Sequence, residues 1–375
     1  MKVKIHTLFQ YLLDTTEAAP ECVLGLSLAR SPRLGAFMDA LDPDLSLDWN
    51  GQDFRGLPAL RDHVLAQAGL KGACARADVL ITAGAAEANY LAIRQLVQPG
   101  DHMVIERPGW PQAAVLGQAI GARIDVVDRH EADGWRLDPE ALAAAVRPDT
   151  RLIFLTNPNN PTGRLMDADE LAAVAGIARR AGAWLLVDEV YAGLEWEGVR
   201  APSIAGIYER GITTGSVSKA LGLQGLRTGW LICRDPGLVM DAVILRENSS
   251  EIMNIMGEVI AEIALRPERL GPALTAARDE GRATLDRLDA FVRATPGLAW
   301  ERPQAGLIGL ARLPDGIDGD ALARRLLGEP WRTFVIPGSA YDMPRHIRLG
   351  VGGGPEVRLD DGLSRLADCL SRWPG

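Results

Sequence analysis

Short runs of apolar residues recur along the middle of the chain, and each predicts a β-strand. Between them, apolar positions repeat every three to four residues, which predicts amphipathic helices such as 86–97 and 168–181. The second helix follows Asp167, with Glu170 three residues later, a capping-box arrangement. This alternation predicts an α/β fold whose mainly parallel sheet is covered on both faces, with catalytic groups at strand ends. The predicted strands are 79–82, 103–106, 124–127, 152–156, 184–188, 212–216 and 230–233.

The two ends of the chain have other patterns. Residues 1–48 are irregular, with helices predicted at 7–15 and 33–40, and are expected to be a mobile arm or to cover the functional site. After about residue 250, long helices are predicted at 251–266 and 271–294. Short strands (307–311, 333–336, 346–349) and helices (319–327, 357–372) follow. We therefore predict an arm (1–48) that is part of a small domain, a large α/β domain (49–250), and a linking helix with a small α+β domain (251–375).

Composition and net charge indicate which kind of binding partner the protein has. The chain has 375 residues, 47% of them hydrophobic, and a net charge of −9. This balance argues against nucleic acid or an anionic membrane and favours a small molecule. The four cysteines are scattered and the five histidines lack metal-ligand spacing, so no metal site is predicted. Because the sequence has no signal-peptide pattern and no apolar stretch of about 20 residues, we expect a cytoplasmic protein without a membrane span.

Lys219 is the first candidate for chemistry. The sequence has only four lysines, and Lys219 lies in the Gly- and Ser-rich stretch 215–229. A buried lysine can lose its proton and form a Schiff base, whereas an arginine stays protonated. On this residue alone, a solvated loop lysine is the more common case.

Two further motifs follow predicted strands. Residues 157–163 read Asn-Pro-Asn-Asn-Pro-Thr-Gly, a rigid turn that presents the amide of Asn160 where α/β sheets bind ligands. Asp188 ends another buried strand, and a buried carboxylate needs a partner such as a protonated ring nitrogen. Tyr191 could offer its phenol to the same ligand. The alternatives are a plain turn for 157–163 and a helix cap for Asp188.

Three weaker signals have equally ordinary alternatives. Gly84, Ala85 and Ala86 join a strand to a helix, where backbone amides can bind an anion such as phosphate. Trp110 leaves another strand and could stack on a planar ring, although packing is the commoner role of a single tryptophan. Arg348 could bind a substrate carboxylate through both guanidinium nitrogens, or be one surface arginine among 36.

Taken together, in this order and spacing, these features resemble the class I/II aminotransferase family of fold-type I pyridoxal-phosphate enzymes. The resemblance extends from about residue 56 to the C-terminus. It implies a large domain with a seven-stranded, mainly parallel sheet, a smaller α+β domain, and a homodimer. It also implies pyridoxal 5'-phosphate as the cofactor, an L-amino acid as the substrate and, for transamination, a 2-oxo acid.

The resemblance also implies a role for each residue. Lys219 would hold the cofactor as a Schiff base and move the substrate's α-proton, and Asp188 would bind the pyridinium nitrogen. Tyr191 and Asn160 would bond the ring's phenolic oxygen, and Trp110 would stack on the ring. The phosphate would be held by Gly84, Ala85, Ala86, Ser216, Ser218 and Arg227, and the substrate carboxylate by Arg348 and Asn160.

Departures from the family pattern leave the reaction open. The usual tyrosine that reaches the partner subunit's phosphate is missing near Gly51, and the arm lacks the usual Gly-rich segment. The sequences of residues 84–89 and 222–227 are similar to those of capreomycidine-synthase-like enzymes. Elimination, replacement or cyclisation on an arginine-derived substrate is therefore an alternative to transamination. Glu87 and Glu251 would suit such a guanidinium. A non-catalytic ligand sensor is a third alternative. Other candidate lining residues are Trp49, Phe54, Tyr90 and 248–251.

Overall fold

The computed structural model describes residues 2–48, 53–197, 199–354 and 357–373. The strands in these residues are β1 Cys22–Val23, β2 Val79–Thr82, β3 His102–Arg107, β4 Arg123–Asp128, β5 Thr150–Thr156, β6 Trp184–Asp188, β7 Gly211–Ser216, β8 Gly229–Cys233, β9 Ala299–Trp300, β10 Ile308–Arg312, β11 Thr333–Phe334, β12 Ile336–Pro337 and β13 His346–Gly350. The α-helices are α1 Thr7–Asp14, α2 Pro58–Gln67, α3 Ala85–Leu96, α4 Gln112–Ile120, α5 Pro139–Ala145, α6 Ala168–Ala181, α7 Ile204–Ile207, α8 Pro236–Glu247, α9 Ile255–Leu265, α10 Pro267–Ala294, α11 Gly319–Leu327 and α12 Leu359–Ser371.

The predicted seven-stranded, mainly parallel sheet is confirmed. Its strand order is β2-β8-β7-β6-β5-β3-β4, with β8 antiparallel to both neighbours and the other pairs parallel. Apolar clusters cover both faces, one containing α3, α4 and α8 and the other α6 and α7. Thr156, Asp188 and Thr214 lie side by side on adjacent strands, so the carboxyl ends of β5, β6 and β7 face one edge. This edge is where an α/β sheet binds its ligand.

N-terminal caps determine where the helices begin. Helix α6 has the predicted bounds, with the Asp167 carboxylate accepting from the Glu170 amide at 2.9 Å and the return bond at 3.0 Å. Helix α9 begins four residues later than predicted because Asn254 caps it, accepting from the amides of Met256 and Gly257. Helix α10 begins four residues earlier, with a proline in its first turn.

The predicted helix at 33–40 is wrong: only a 3-10 turn forms, at Leu34–Ala36. Short helices depend on a buried apolar face for stability. Here Leu34 and Met38 are 58% and 59% exposed, and of the apolar side chains between them only Phe37 is buried.

A second, four-stranded sheet has the order β12-β13-β10-β9, and its neighbouring strands pair antiparallel. The predicted strand at 333–336 is divided between β11, which pairs with β1 of the N-terminal arm, and β12, which pairs with β13. Among the described residues, no helix is long and apolar enough to cross a bilayer.

The N-terminal arm connects the two sheets. The Leu24 amide donates to the Phe334 carbonyl at 2.8 Å, and the Leu24 carbonyl accepts from the Gly350 amide at 2.6 Å. Further along, the Ala29 amide donates to the Lys219 carbonyl at 3.0 Å. The arm therefore runs from the four-stranded sheet, the small sheet, to the stretch 215–229 that contains Lys219. It covers the carboxyl edge of the seven-stranded sheet, the large sheet.

Candidate active site

Eleven of the twelve predicted site residues line one cavity of about 320 Å³. The cavity lies at the carboxyl edge of the large sheet, with the N-terminal arm and the small sheet forming its opposite wall. The predicted residues that line it are Ala85, Ala86, Trp110, Asn160, Asp188, Tyr191, Ser216, Ser218, Lys219, Arg227 and Arg348. The twelfth, Gly84, lies directly behind the lining as the N-cap of α3.

One end of the cavity is suited to an anion. The first amides of α3 have no partner within the helix and point out of its N-terminus, where the helix dipole is positive. Gly84 adopts φ +85°, and a Cβ there would lie 2.6 Å from Arg227 Nη2. The absence of a side chain lets the guanidinium lie against the helix start, where Nη2 donates to the Ala83 carbonyl at 3.0 Å. Ser216 and Ser218 line the same cavity and are buried.

Asp188 is a buried carboxylate held by neutral donors. Its Oδ2 accepts from Asn89 Nδ2 at 2.8 Å, and its Oδ1 accepts from the Val190 amide at 3.1 Å. The Thr214 hydroxyl donates to Asn89 Oδ1 at 2.7 Å, which fixes the orientation of the amide. Burial raises the pKa of Asp188, while the Asn89 bond and the Lys219 charge oppose the rise. A cation from the cavity would therefore stabilise the carboxylate.

Lys219 lies in the protein interior near the N-terminal arm. Burial, followed by the charge of Arg348, lowers the pKa of its amine to about 8, against the opposing effect of Asp188. Its Nζ is 3.4 Å from Ser27 Oγ and 5.9 Å from the centre of the Tyr191 ring. The Tyr191 hydroxyl donates to the same Ser27 oxygen at 3.0 Å. A substantial fraction of this amine is neutral near pH 8, as a nucleophile or proton acceptor requires.

Arg348 on β13 is a buried cation held by oxygen atoms. Its Nη1 donates to Tyr341 Oη at 2.7 Å and to Asn160 Oδ1 at 3.3 Å, and its Nη2 donates to the Gly25 carbonyl at 2.8 Å. Among the described residues, its buried Nε has no hydrogen-bond partner. Since its partners are neutral, the guanidinium can bind a carboxylate in the cavity.

Trp110 lines the cavity, and its indole is held by a hydrogen bond to Gln112. Its Nε1 donates to Gln112 Oε1 at 3.3 Å, and Gln112 Nε2 donates to the Ala86 carbonyl at 2.7 Å. Gln112 Oε1 also accepts from Asn89 at 3.3 Å. The indole is thus connected to the helix start on one side and to the Asp188 network on the other.

Some site residues were absent from the sequence prediction, namely Ser27, Asn89, Gln112, Thr156, Thr214 and Tyr341. Asn89 could have been found, because it is a polar residue on the apolar face of a predicted amphipathic helix. The arm was expected to be mobile or to cover the site, and residues 25–28 do line the cavity. As expected from the sequence, this segment is not Gly-rich.

The suggested side-chain pocket is not supported. Of its candidates, Phe54, Tyr90, Glu87 and residues 248–251 are outside the lining. Both oxygens of Glu87 are engaged elsewhere, with the Ala83 amide at 2.6 Å and the Ser250 hydroxyl at 2.7 Å. Trp49, another candidate for the lining, and Gly51, near which the usual tyrosine is missing, fall outside the described residues.

Comparison with known proteins decides the family. Residues 48–366 match the family model described as aminotransferase class I and II. The chain belongs to this family. Its cofactor is therefore pyridoxal 5'-phosphate.

Three relatives illustrate the range of the similarity. The arginine–pyruvate transaminase of Pseudomonas aeruginosa is 29% identical over 90% of this chain and 86% of its own. The capreomycidine synthase of Streptomyces vinaceus is 28% identical over 78% of this chain and 74% of its own. A PLP-dependent aminotransferase structure from Streptococcus suis superposes with a TM-score of 0.90 over the whole of both chains, at 26% identity. The chain is thus similar both to proteins named as aminotransferases and to one named as a synthase.

The cavity fits this cofactor. The helix start and the Gly84–Arg227 contact form a cradle for a phosphate, and an added Cβ at Gly84 would meet the guanidinium. Asp188 lacks a cationic hydrogen-bond donor at the place where a protonated ring nitrogen would supply one. Thr156 Oγ1, also in the lining, is buried without a hydrogen-bond partner among the described residues.

Proposed function

We propose that the protein is an aminotransferase that transfers the amino group of an L-amino acid to a 2-oxo acid. The observation that carries this proposal is one cavity that contains both a lysine of lowered pKa and a buried arginine with an unpartnered Nε. The first suits proton transfer at the substrate's α carbon, and the second suits its carboxylate.

We assign the cofactor contacts as the resemblance implies. Gly84, Ala85 and Ala86 offer the helix start to the phosphate, completed by the side chains of Ser216, Ser218 and Arg227. Asp188 would keep the ring nitrogen protonated, and Trp110 would stack on the ring. Tyr191 and Asn160 provide groups for the ring's phenolic oxygen. When bound, the cofactor supplies an electron sink for bond cleavage at the α carbon.

The protein's own groups then divide the work. Lys219 would hold the cofactor at rest, and its Nζ would take the proton from the substrate's α carbon and give it to the cofactor. Arg348, held by Tyr341, Asn160 and the Gly25 carbonyl, orients the substrate carboxylate and brings the α carbon towards Nζ. The arm covers the cavity and limits the access of water to it.

A second candidate is elimination or cyclisation at the β or γ carbon of the substrate. The similarity to capreomycidine synthase favours it, because 78% of this chain aligns with that enzyme. Both candidates require the same first proton transfer, and they differ in whether nitrogen remains on the cofactor afterwards.

We also propose that the enzyme is cytoplasmic and forms a homodimer. Within each chain, we propose domain boundaries at about residues 48 and 250. The four thiols are unpaired, as in a reducing compartment. Arg227 and Ala86, at the anion end of the cavity, are exposed in one protomer, so a second copy could complete that end.

Single-turnover chemistry tests the proposal. With excess amino acid, the bound cofactor is expected to convert to its pyridoxamine form, observed by absorbance, while one equivalent of 2-oxo acid is released. Release of ammonia without accumulation of the amine form would support elimination instead. In Lys219→Ala, borohydride should yield no reduced lysine–cofactor peptide by mass spectrometry. A persistent adduct at another lysine would contradict the assignment.

Arg348→Met should raise the amino acid concentration at which half of the cofactor is converted, on the order of a hundredfold. The reason is that the charge-assisted hydrogen bonds from the guanidinium to the substrate carboxylate are lost. The matched control is Arg345→Met, which removes a half-exposed arginine from the same segment. Equal effects of the two substitutions would refute the role given to Arg348.

A further inference from the structure

The cavity has two chemically different ends. Its charged side chains are Asp188, Lys219, Arg227 and Arg348, and each has a function in the cofactor or carboxylate contacts proposed above. Apart from Ser27, which contacts Lys219 and Tyr191, the wall contributed by the arm and by β11 and β12 is largely apolar. Its side chains are Leu8, Leu12, Leu26, Phe334 and Ile336.

The apolar wall adjoins the residue that would bind the substrate carboxylate. A Cβ on Gly25 would lie 2.9 Å from the Phe334 ring and 3.1 Å from Ile336, so these side chains press directly against the Gly25 backbone. The carbonyl of the same glycine accepts from Arg348. An amino acid held at Arg348 therefore has the apolar wall within reach of its side chain.

The wall is buried at its base and exposed at its rim. Leu8, Phe334 and Ile336 are buried in one cluster with Tyr341, which itself bonds to Arg348. Leu12 and Leu26, by contrast, line the cavity but are 38% and 41% exposed. An apolar group that covered these two leucines would be stabilised by the area that it removes from water.

A charged substrate side chain would find no partner here. Among the described lining residues, the one carboxylate is Asp188, which faces the cofactor end and is held by Asn89. Burying a guanidinium or carboxylate against Leu8 and Phe334, at the base of the wall, leaves an uncompensated charge, which is costly. This end of the cavity therefore discriminates against arginine and aspartate.

We propose that the substrate carries a neutral apolar side chain, such as that of leucine, methionine or phenylalanine, and that Leu12 and Leu26 determine this preference. The inference rests on the proposed transamination. It sets this chain apart from its arginine–pyruvate transaminase relative.

The test measures kcat/KM for cofactor conversion with leucine, methionine, phenylalanine, arginine and aspartate. For the natural sequence, the three apolar substrates should exceed the two charged ones by about a hundredfold. One methylene in an apolar pocket changes kcat/KM by about tenfold or more, so the loss of several apolar contacts gives a ratio of this size. Leu12→Glu should lower the value for leucine at least tenfold and raise that for arginine.

Leu13→Glu is the matched control, because Leu13 lies on the same helix, is 51% exposed and is outside the lining. It should leave all five values within about twofold. Leu26→Glu provides a second, independent site, and circular dichroism checks the folding of each variant.

Three outcomes have distinct meanings. Apolar preference that is lost in Leu12→Glu and Leu26→Glu but kept in Leu13→Glu supports the inference. Conversion that is fastest with arginine or aspartate in the natural sequence overturns it while transamination stands. Failure of every amino acid to convert the cofactor overturns the transamination itself.

Discussion

Replacing Asn89 by leucine tests whether the environment of Asp188 is tuned by a neutral amide. Asn89 is fully buried and donates to Asp188 Oδ2 at 2.8 Å, while the Thr214 hydroxyl holds its other end. Leucine has a similar volume but no donor, so the carboxylate loses one of the two hydrogen bonds that the described residues donate to it. The pKa of Asp188, already raised by burial, should rise further because the bond from Asn89 lowers it.

The size of the effect follows from the burial of this bond. A hydrogen bond to a charged acceptor contributes about 1.5–3 kcal/mol, and no solvent screens this one. Part of that loss should appear as weaker cofactor binding, about ten- to a hundredfold in Kd. Asn89→Leu should therefore raise the Kd of pyridoxal phosphate, measured by equilibrium dialysis, and shift the pH titration of the bound cofactor's absorbance.

Two threonines on β7 provide the controls. Thr214→Val removes the hydroxyl that orients Asn89 and should produce a smaller change of the same kind. Thr213→Val removes the next hydroxyl along, which donates to Glu189 on the other side of the sheet at 3.0 Å. It should lower stability without changing the Kd or the titration. If Asn89→Leu matched Thr213→Val in both readouts, the tuning of Asp188 by Asn89 would be refuted.

Two further predictions concern Lys219 and Gly84. Because the amine must be neutral to attach the cofactor and its pKa is lowered to about 8, attachment to the apoprotein should accelerate about tenfold per pH unit below 8 and level off above it. Stopped-flow absorbance measures this rate, and a continued rise to pH 10 would contradict the lowered pKa. Gly84→Ala should weaken cofactor binding and cost about 1–2 kcal/mol of stability, since φ is +85° and the new Cβ would meet Arg227. Gly100→Ala, at φ +86° with nothing within 4 Å, should cost similar stability in thermal unfolding but leave the Kd unchanged.

Local patterns were sufficient to predict the large sheet. All seven predicted strands form it, and their bounds differ from the structure by two residues or fewer, because buried strands are continuous apolar runs. The chemistry at strand ends followed from the same pattern, since parallel strands place Thr156, Asp188 and Thr214 at one edge. Element order alone thus brought most of the site together.

Contacts between distant segments could not be predicted in this way. Gly25 supplies a carbonyl to Arg348, 323 positions later, and it must lack a side chain because Phe334 occupies that space. No local pattern around Gly25 indicates this pairing. Similarly, Ser27 has no signal in the sequence, although it lies between Lys219 and Tyr191. The arm looked irregular because its partners are distant in the sequence.

The neighbouring carboxylates of Asp188 and Glu189 illustrate what decides a functional role. They leave the same strand on opposite faces, and burial raises the pKa of both. Glu189 is satisfied within the protein: it accepts from the Ser203 and Thr213 hydroxyls and from the Ile204 amide, with Arg200 at 3.8 Å. Asp188 has two neutral donors and faces the cavity. Glu189 has a guanidinium beside it within the protein, whereas Asp188 has no salt bridge among the described residues, so Asp188 is the carboxylate available to a cationic ligand. Adjacent letters in a sequence do not contain this distinction.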